Sequence, residues 1–139
     1  MDGSLKYSNV VLDHARNPRN AGDVPDAAAT AQIGDPETGD VLRISMRIED
    51  GVVVEARFKA FGCTAAIAAG SMATTLLAGL SVEAAGRLTN RDVVRALGGL
   101  PAQKVRCSVL AEQAIQEALR RHHARRTEPQ EKEAARCRS

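Results

Sequence analysis

The sequence has few aromatic residues, no long hydrophobic run and no strong excess of either charge. Its 139 residues contain no tryptophan, and the aromatic side chains are Tyr7, Phe58 and Phe61. Stacking on exposed nucleic-acid bases therefore has almost no side chains to use. The net charge of +2 is also far from the concentrated positive charge of nucleic-acid-binding proteins. Both features argue against a nucleic-acid partner.

No apolar run approaches the roughly 20 residues that cross a bilayer, and the first residues lack the basic and apolar pattern of a secretory signal. We therefore expect no membrane association and a cytoplasmic location. The cysteines Cys63, Cys107 and Cys137 are odd in number and widely spaced, which does not indicate a disulfide framework. They are interpreted as ligands, nucleophiles or buried apolar residues, with Cys137 a surface thiol in a polar C-terminal segment.

Hydrophobic periodicity in the first half of the chain predicts a helix followed by strands. A helix is expected over residues 5–15, because the Asn17-Pro18 turn stops it. Residues 27–33 favour an edge strand, and residues 34–40 have loop composition. Alternating apolar residues over 42–48 and 52–60 predict an antiparallel hairpin with one buried face. On its second strand, that buried face is predicted to carry Val52, Val54, Ala56, Phe58 and Ala60.

The second half of the chain has helical patterns. Residues 64–78 are rich in alanine and end at Gly79, which predicts a helix suited to close packing on a sheet. Two short helices are expected next, with Ser81 as one N-cap and Thr89 or Asn90 as the other. A last helix is predicted from about Ser108 to Arg126. We expect one domain over residues 1–126 and a disordered polar tail over residues 127–139.

Two cysteines fall at the starts of predicted helices. Cys63 lies where the hairpin meets a helix, and Cys107 lies just before the last helix. Unpaired N–H groups at a helix N-terminus favour thiolate over thiol, and thiolates are ligands for zinc and for iron–sulfur clusters. Two alternatives stay open at this point. Each cysteine is a small buried hydrophobic residue, or the two form a redox pair.

Four blocks of sequence carry a family resemblance, in unbroken order from about Tyr7 to Arg126. The blocks are Tyr7–Gly22, Gly39–Val41, Ala56–Ala68 and Lys104–Ile115. Together they resemble the iron–sulfur cluster assembly scaffolds of the IscU type, also called the NifU N-terminal-like family. The resemblance implies an α+β fold: a three-stranded antiparallel sheet with an N-terminal helix and a layer of helices packed on one face. Periodicity alone predicts a compatible arrangement.

The resemblance also implies a function and a site. Such scaffolds are not enzymes: they receive sulfur from a cysteine desulfurase and iron from a donor, build a transient [2Fe–2S] cluster, and pass it to recipient proteins. Carried over by position, the ligands are Asp40, Cys63 and Cys107, and Cys107 also accepts sulfur. A hard oxygen ligand among sulfurs should hold the cluster less firmly and favour its release.

The chain departs from the family pattern at three places. Thr38 stands where the family has its first cysteine, and a neutral hydroxyl is a poor ligand for cluster iron. Arg106 replaces a histidine, and its guanidinium has no lone pair to offer a cation. The segment Leu100–Lys104 differs from the family's recognition sequence for an Hsp70-type chaperone, which weakens the inference of that partner.

Three arrangements are compatible with the reduced ligand set. In a homodimer, Cys63 and Cys107 from each chain bridge one [2Fe–2S] cluster. In a single chain, the same cysteines and Asp40 hold a weak cluster or zinc, with Glu37 or solvent as the fourth ligand. Alternatively Arg106 pairs with Asp40 and closes the site to ions. The last arrangement predicts a metal-free regulatory protein that keeps the fold and binds the desulfurase.

Overall fold

The structure is a computed structural model that describes the backbone of residues 6–138 and the side chains of residues 6–124. Its first helix, α1, spans Asn9–Arg16 and begins at Ser8, whose hydroxyl accepts a hydrogen bond from the N–H of Val11 at 3.0 Å. This N-cap satisfies one of the free N–H groups of the first turn. The predicted helix is confirmed, and it ends directly before the Asn17-Pro18 turn.

Three antiparallel strands follow in the order β1-β2-β3, so that β2 is central. Strand β1 spans Ala29–Gly34, β2 spans Val41–Glu49 and β3 spans Val52–Phe61. The edge strand and the hairpin predicted from the sequence are both confirmed. The inward face of β2 is built from Leu42, Ile44 and Met46, all fully buried.

A β-bulge changes the alternation at the start of β3. Arg47 pairs with Glu55 and Ile48 pairs with Val53, so Val54 is an extra residue in the ladder. A bulge shifts every residue before it to the other face of the strand. Val53 is therefore buried and Val54 is exposed. The predictions that Val52 and Val54 lie on the buried face are wrong, since Val54 is exposed and Val52 is half-buried outside the core cluster.

The remaining elements are helical. Helix α2 spans Thr64–Leu77 and ends before Gly79, as predicted. The predicted N-caps are confirmed, since Ser81 caps α3 and Thr89 caps α4 with a capping box. The bounds of the three later helices are Val82–Gly86 for α3, Asn90–Ala96 for α4 and Val105–Arg138 for α5.

Helix α5 is longer than the sequence predicts at both ends. It begins at Val105, after a short 3-10 turn over Ala102–Lys104, and it continues past Arg126. The residues beyond Arg126 are mostly Glu, Lys, Arg, Gln and Ala, which have high helix propensity despite their polarity. That residues 127–139 are disordered in solution stays a prediction.

Helices α2 and α5 pack on the buried face of the sheet, α2 mainly against β3 and α5 against β1 and β2. The approach of α2 depends on Gly70, because a Cβ at this position would lie 2.4 Å from the ring of Phe58. None of the described helices combines the length and the apolar character of a membrane-spanning segment.

Candidate metal centre

Sheet register places three ligand-type residues at one end of the domain. Antiparallel pairing sets Val41, the first residue of β2, opposite Phe61, the last residue of β3. Asp40 immediately precedes β2, and Cys63 follows β3 as the N-cap of α2. Helix α5 lies across β1 and β2, which brings Cys107 in its first turn to the same end. Residues far apart in sequence therefore meet here.

The three side chains form a compact cluster. The sulfur of Cys63 lies 3.6 Å from the sulfur of Cys107, and the Asp40 Oδ2 atom lies 3.8 Å from the first sulfur and 3.6 Å from the second. Cys107 and Asp40 are buried, and Cys63 is half-buried. Among the described side chains, this is the one group of His, Cys, Asp or Glu residues with metal-site spacing.

The cysteine thiols are both free. Their sulfur atoms are much farther apart than the roughly 2.05 Å of a disulfide bond. The position of Cys63 at the start of α2 agrees with the sequence prediction. Cys107 lies in the first turn of α5, whereas the sequence predicted it just before that helix.

The expected effect of the helix N-terminus on Cys107 is wrong. Burial raises the pKa of the Cys107 thiol well above its usual value, and the neighbouring Cys63 and Asp40 raise it further. Cys107 is 2% exposed, so removal of solvent from its thiolate outweighs the helix dipole. A bound cation would reverse this balance, because metal ligation deprotonates a thiol.

Gly62 allows the Asp40 carboxylate to reach the two sulfurs. It has φ +153°, and a Cβ added there would lie 2.3 Å from Asp40 Oδ1. Any other residue at this position would therefore occupy the space of the carboxylate. This role of Gly62 was not predicted from the sequence, although a glycine between a strand and a helix N-cap is a usable signal.

Arg106 does not contact Asp40, which corrects one of the arrangements expected from the sequence. Its Nε lies 2.8 Å from Asp35 Oδ2, its Nη2 lies 3.3 Å from Asp35 Oδ1, and the same Nη2 donates to Glu37. Glu37 is held by this guanidinium and is not part of the metal-site cluster. The ion pair therefore leaves Asp40 directed at the thiols.

Two further residues lie close to the cluster and were not predicted as site residues. Electrostatic interaction with Cys63 raises the pKa of Lys104. Burial raises the pKa of Tyr7, and electrostatic interaction with Cys63 raises it further. Lys104 precedes Cys107 by three residues, a spacing that could have indicated it, whereas no local signal marks Tyr7. Thr38 is exposed, and its hydroxyl accepts the Asp40 N–H at 3.2 Å.

The described histidines do not join the cluster. His14 is buried, and its Nδ1 atom lies 2.7 Å from the Ser71 hydroxyl. His122 and His123 lie on α5 and are absent from the metal-site group. The side chain of Cys137 lies outside the described residues.

A family model described as the NifU-like N terminal domain matches residues 6–129. The chain belongs to this family. The iron-sulfur cluster assembly scaffold protein IscU 1 of Archaeoglobus fulgidus is 43% identical over 113 residues, which cover 81% of this chain and 74% of that protein. The scaffold protein IscU of Azotobacter vinelandii is 41% identical over 121 residues, covering 84% and 93%.

Solved structures confirm the fold that the resemblance implies. The N-terminal NifU-like protein of Brucella abortus superposes with a TM-score of 0.71 over 84% of this chain and 94% of its own, at 15% identity. A SUF-system protein of Fervidobacterium islandicum gives a TM-score of 0.69 over 81% and 96%, also at 15% identity. The family membership and the α+β architecture therefore agree.

Proposed function

We propose that this protein is a non-catalytic scaffold for iron–sulfur cluster assembly that binds iron through Asp40, Cys63 and Cys107. The family relatives named above as cluster assembly scaffolds support the general role. The observation that carries the proposal for this chain is the three-atom cluster. Two thiol sulfurs and one carboxylate oxygen lie within 4.8 Å of one another.

The spacing of these atoms fits a single metal ion. Four-coordinate ligands with metal–sulfur bonds of about 2.3 Å and metal–oxygen bonds of about 2.1 Å place two sulfurs roughly 3.8 Å apart, and sulfur and oxygen roughly 3.6 Å apart. The observed separations are 3.6 Å between sulfurs and 3.6 and 3.8 Å between sulfur and oxygen. The three atoms thus occupy three corners of a tetrahedron.

A binuclear cluster needs more ligands than this face supplies. A [2Fe–2S] cluster takes four protein ligands, two on each iron, because two bridging sulfides complete each tetrahedron. In a homodimer Cys63 and Cys107 of the two chains would supply these four thiolates. Zinc also suits two thiolates and a carboxylate, so it is the competing ion in the monomeric arrangement.

Within this proposal a cysteine desulfurase supplies sulfur, which Cys107 accepts, and recipient proteins take the finished cluster. One feature supports partner binding at this end of the domain. Phe61 is 76% exposed two residues before Cys63, and it offers apolar surface beside the site.

The contacts of Arg106 do not favour the metal-free alternative. In that arrangement Arg106 neutralises Asp40, yet the guanidinium binds Asp35 and Glu37 instead. Asp40 therefore keeps an oxygen directed at both sulfurs.

Anaerobic reconstitution with ferrous iron and sulfide tests the proposed function. The wild-type protein should develop visible sulfur-to-iron charge-transfer absorption and contain iron and acid-labile sulfide. Cys63→Ser and Cys107→Ser should abolish both, whereas the matched control Cys137→Ser should retain them. A wild-type protein that stays colourless and binds no iron would contradict the proposal. Metal analysis after purification without air separates iron from zinc.

A further inference from the structure

The loop between β1 and β2 is tied to the N-terminus of α5 at one point. Arg106 approaches both carboxylate oxygens of Asp35 and also donates to Glu37 in the same loop. Arg106 is adjacent to Cys107 in sequence, so one turn of α5 carries both a ligand-type sulfur and the contact that holds the loop.

Asp35 forms several hydrogen bonds within the loop. Its Oδ1 atom accepts the Glu37 N–H at 3.0 Å, its backbone N–H donates to the Asp40 carbonyl at 2.8 Å, and its carbonyl accepts the Gly39 N–H at 2.7 Å. The side chain of Asp35 is 14% exposed, although that of Arg106 is 43% exposed. The Asp40 carbonyl is therefore hydrogen-bonded directly to Asp35, whose carboxylate binds the Arg106 guanidinium.

We propose that Arg106 is a positioning residue, which fixes the Asp40 carboxylate against the two thiols by holding the loop 35–40 to α5. Its guanidinium offers donors in a rigid planar fork, and a fork pairing with a carboxylate restricts direction as well as distance. An exposed ion pair contributes little to global stability, so this contact acts on local geometry. Arg106 has no lone pair with which to bind a metal ion, but through this contact it still orients a residue of the site.

The proposal rests on metal binding at the proposed site and predicts a specific defect when the contact is removed. Loss of a partner that orients a metal ligand typically costs about 10- to 100-fold in metal affinity. Arg106→Gln should therefore weaken Co²⁺ or Zn²⁺ binding at least about tenfold. Arg106→Lys keeps the charge and loses the fork, so it should restore part of the affinity.

The matched control is Arg19→Gln. Arg19 forms an ion pair with Asp13 at 2.6 Å and its side chain is 42% exposed, which is close to the exposure of Arg106. The pair lies at the end of α1 and contacts none of the three cluster residues. Arg19→Gln should bind metal within twofold of wild type.

The experiment is a chelator competition with Co²⁺, read from its thiolate charge-transfer and tetrahedral ligand-field absorption. It includes Asp40→Ala and the double variant Arg106→Gln/Asp40→Ala. Because Arg106 acts through Asp40, its substitution should weaken binding less than twofold in the Asp40→Ala background. An equal loss in both backgrounds would show a merely structural role and would overturn the proposal.

Amide exchange of the metal-free protein separates this inference from the proposed function. The Gly39 amide should exchange at least several-fold faster in Arg106→Gln than in wild type. In Arg19→Gln it should exchange at the wild-type rate. Unchanged exchange in Arg106→Gln would overturn the positioning role while wild-type cobalt binding stands. If the wild-type protein shows no thiolate–cobalt absorption, the proposed function is overturned, and the metal-positioning role of Arg106 is overturned with it. This holds even if amide exchange shows that Arg106 restrains the loop.

Discussion

Gly62→Ala tests whether the position of the Asp40 carboxylate determines metal binding. The new Cβ would lie 2.3 Å from Asp40 Oδ1, and contacts below 3.0 Å essentially never occur for a real Cβ. The carboxylate must therefore retreat by at least about 0.7 Å, whereas metal–ligand distances hold to within about 0.2 Å. Asp40 should then cease to be an effective ligand.

The expected cost is a fall in Co²⁺ or Zn²⁺ affinity of about 10- to 100-fold, which corresponds to roughly 1.4–2.7 kcal/mol. Chelator competition measures it. Gly79→Ala is the control, because Gly79 has φ +91° and no atom within 4 Å of the added Cβ. Backbone strain of roughly 1–3 kcal/mol should lower the free energy of unfolding of both variants. Equal metal affinity of the two variants would refute the reasoning.

Three further predictions concern the ligand set and the fold. Asp40→Cys should slow the loss of a reconstituted cluster to a chelator, because it exchanges a hard ligand for a soft one; faster loss would contradict this. Thr38→Cys should raise the iron and sulfide content per chain, and unchanged content would count against the placement of the site. Burial lowers the pKa of His14 below its usual 6.5. The unfolded chain therefore binds the proton more readily, so the free energy of unfolding should decrease as pH falls below about 6.5 towards the lower native pKa. Urea unfolding at several pH values should show this decrease in wild type and lose it in His14→Gln.

Local sequence signals predicted most of the fold because they depend on short-range chemistry. Ser81 and Thr89 are N-caps as expected, and alternation located β2 and most of β3. The side of the sheet on which Val54 lies was not predictable in this way. A bulge depends on how two strands pair, and three consecutive valines fit either face equally well.

Local sequence patterns predicted less of the candidate site than of the fold. The resemblance supplied Asp40, and the cysteines stood out through their place before helices. Neither periodicity nor spacing indicates that Arg106 selects Asp35 over Asp40, because both carboxylates lie in the same loop. The pKa of Cys107 was misjudged for a related reason, since burial at a helix N-terminus depends on packing of the whole domain.

Thr38 and Arg106, which stand where the family resemblance leads us to expect a cysteine and a histidine, lie in one contact network. Thr38 accepts the Asp40 N–H, and Arg106 holds Asp35, which is bonded to the Asp40 backbone. Both therefore stabilise the loop that carries Asp40. Because the described side chains provide three corners of a tetrahedron, the fourth ligand of a bound ion must come from elsewhere. An ion held in this way keeps one position open to sulfide, solvent or a thiolate of another protein.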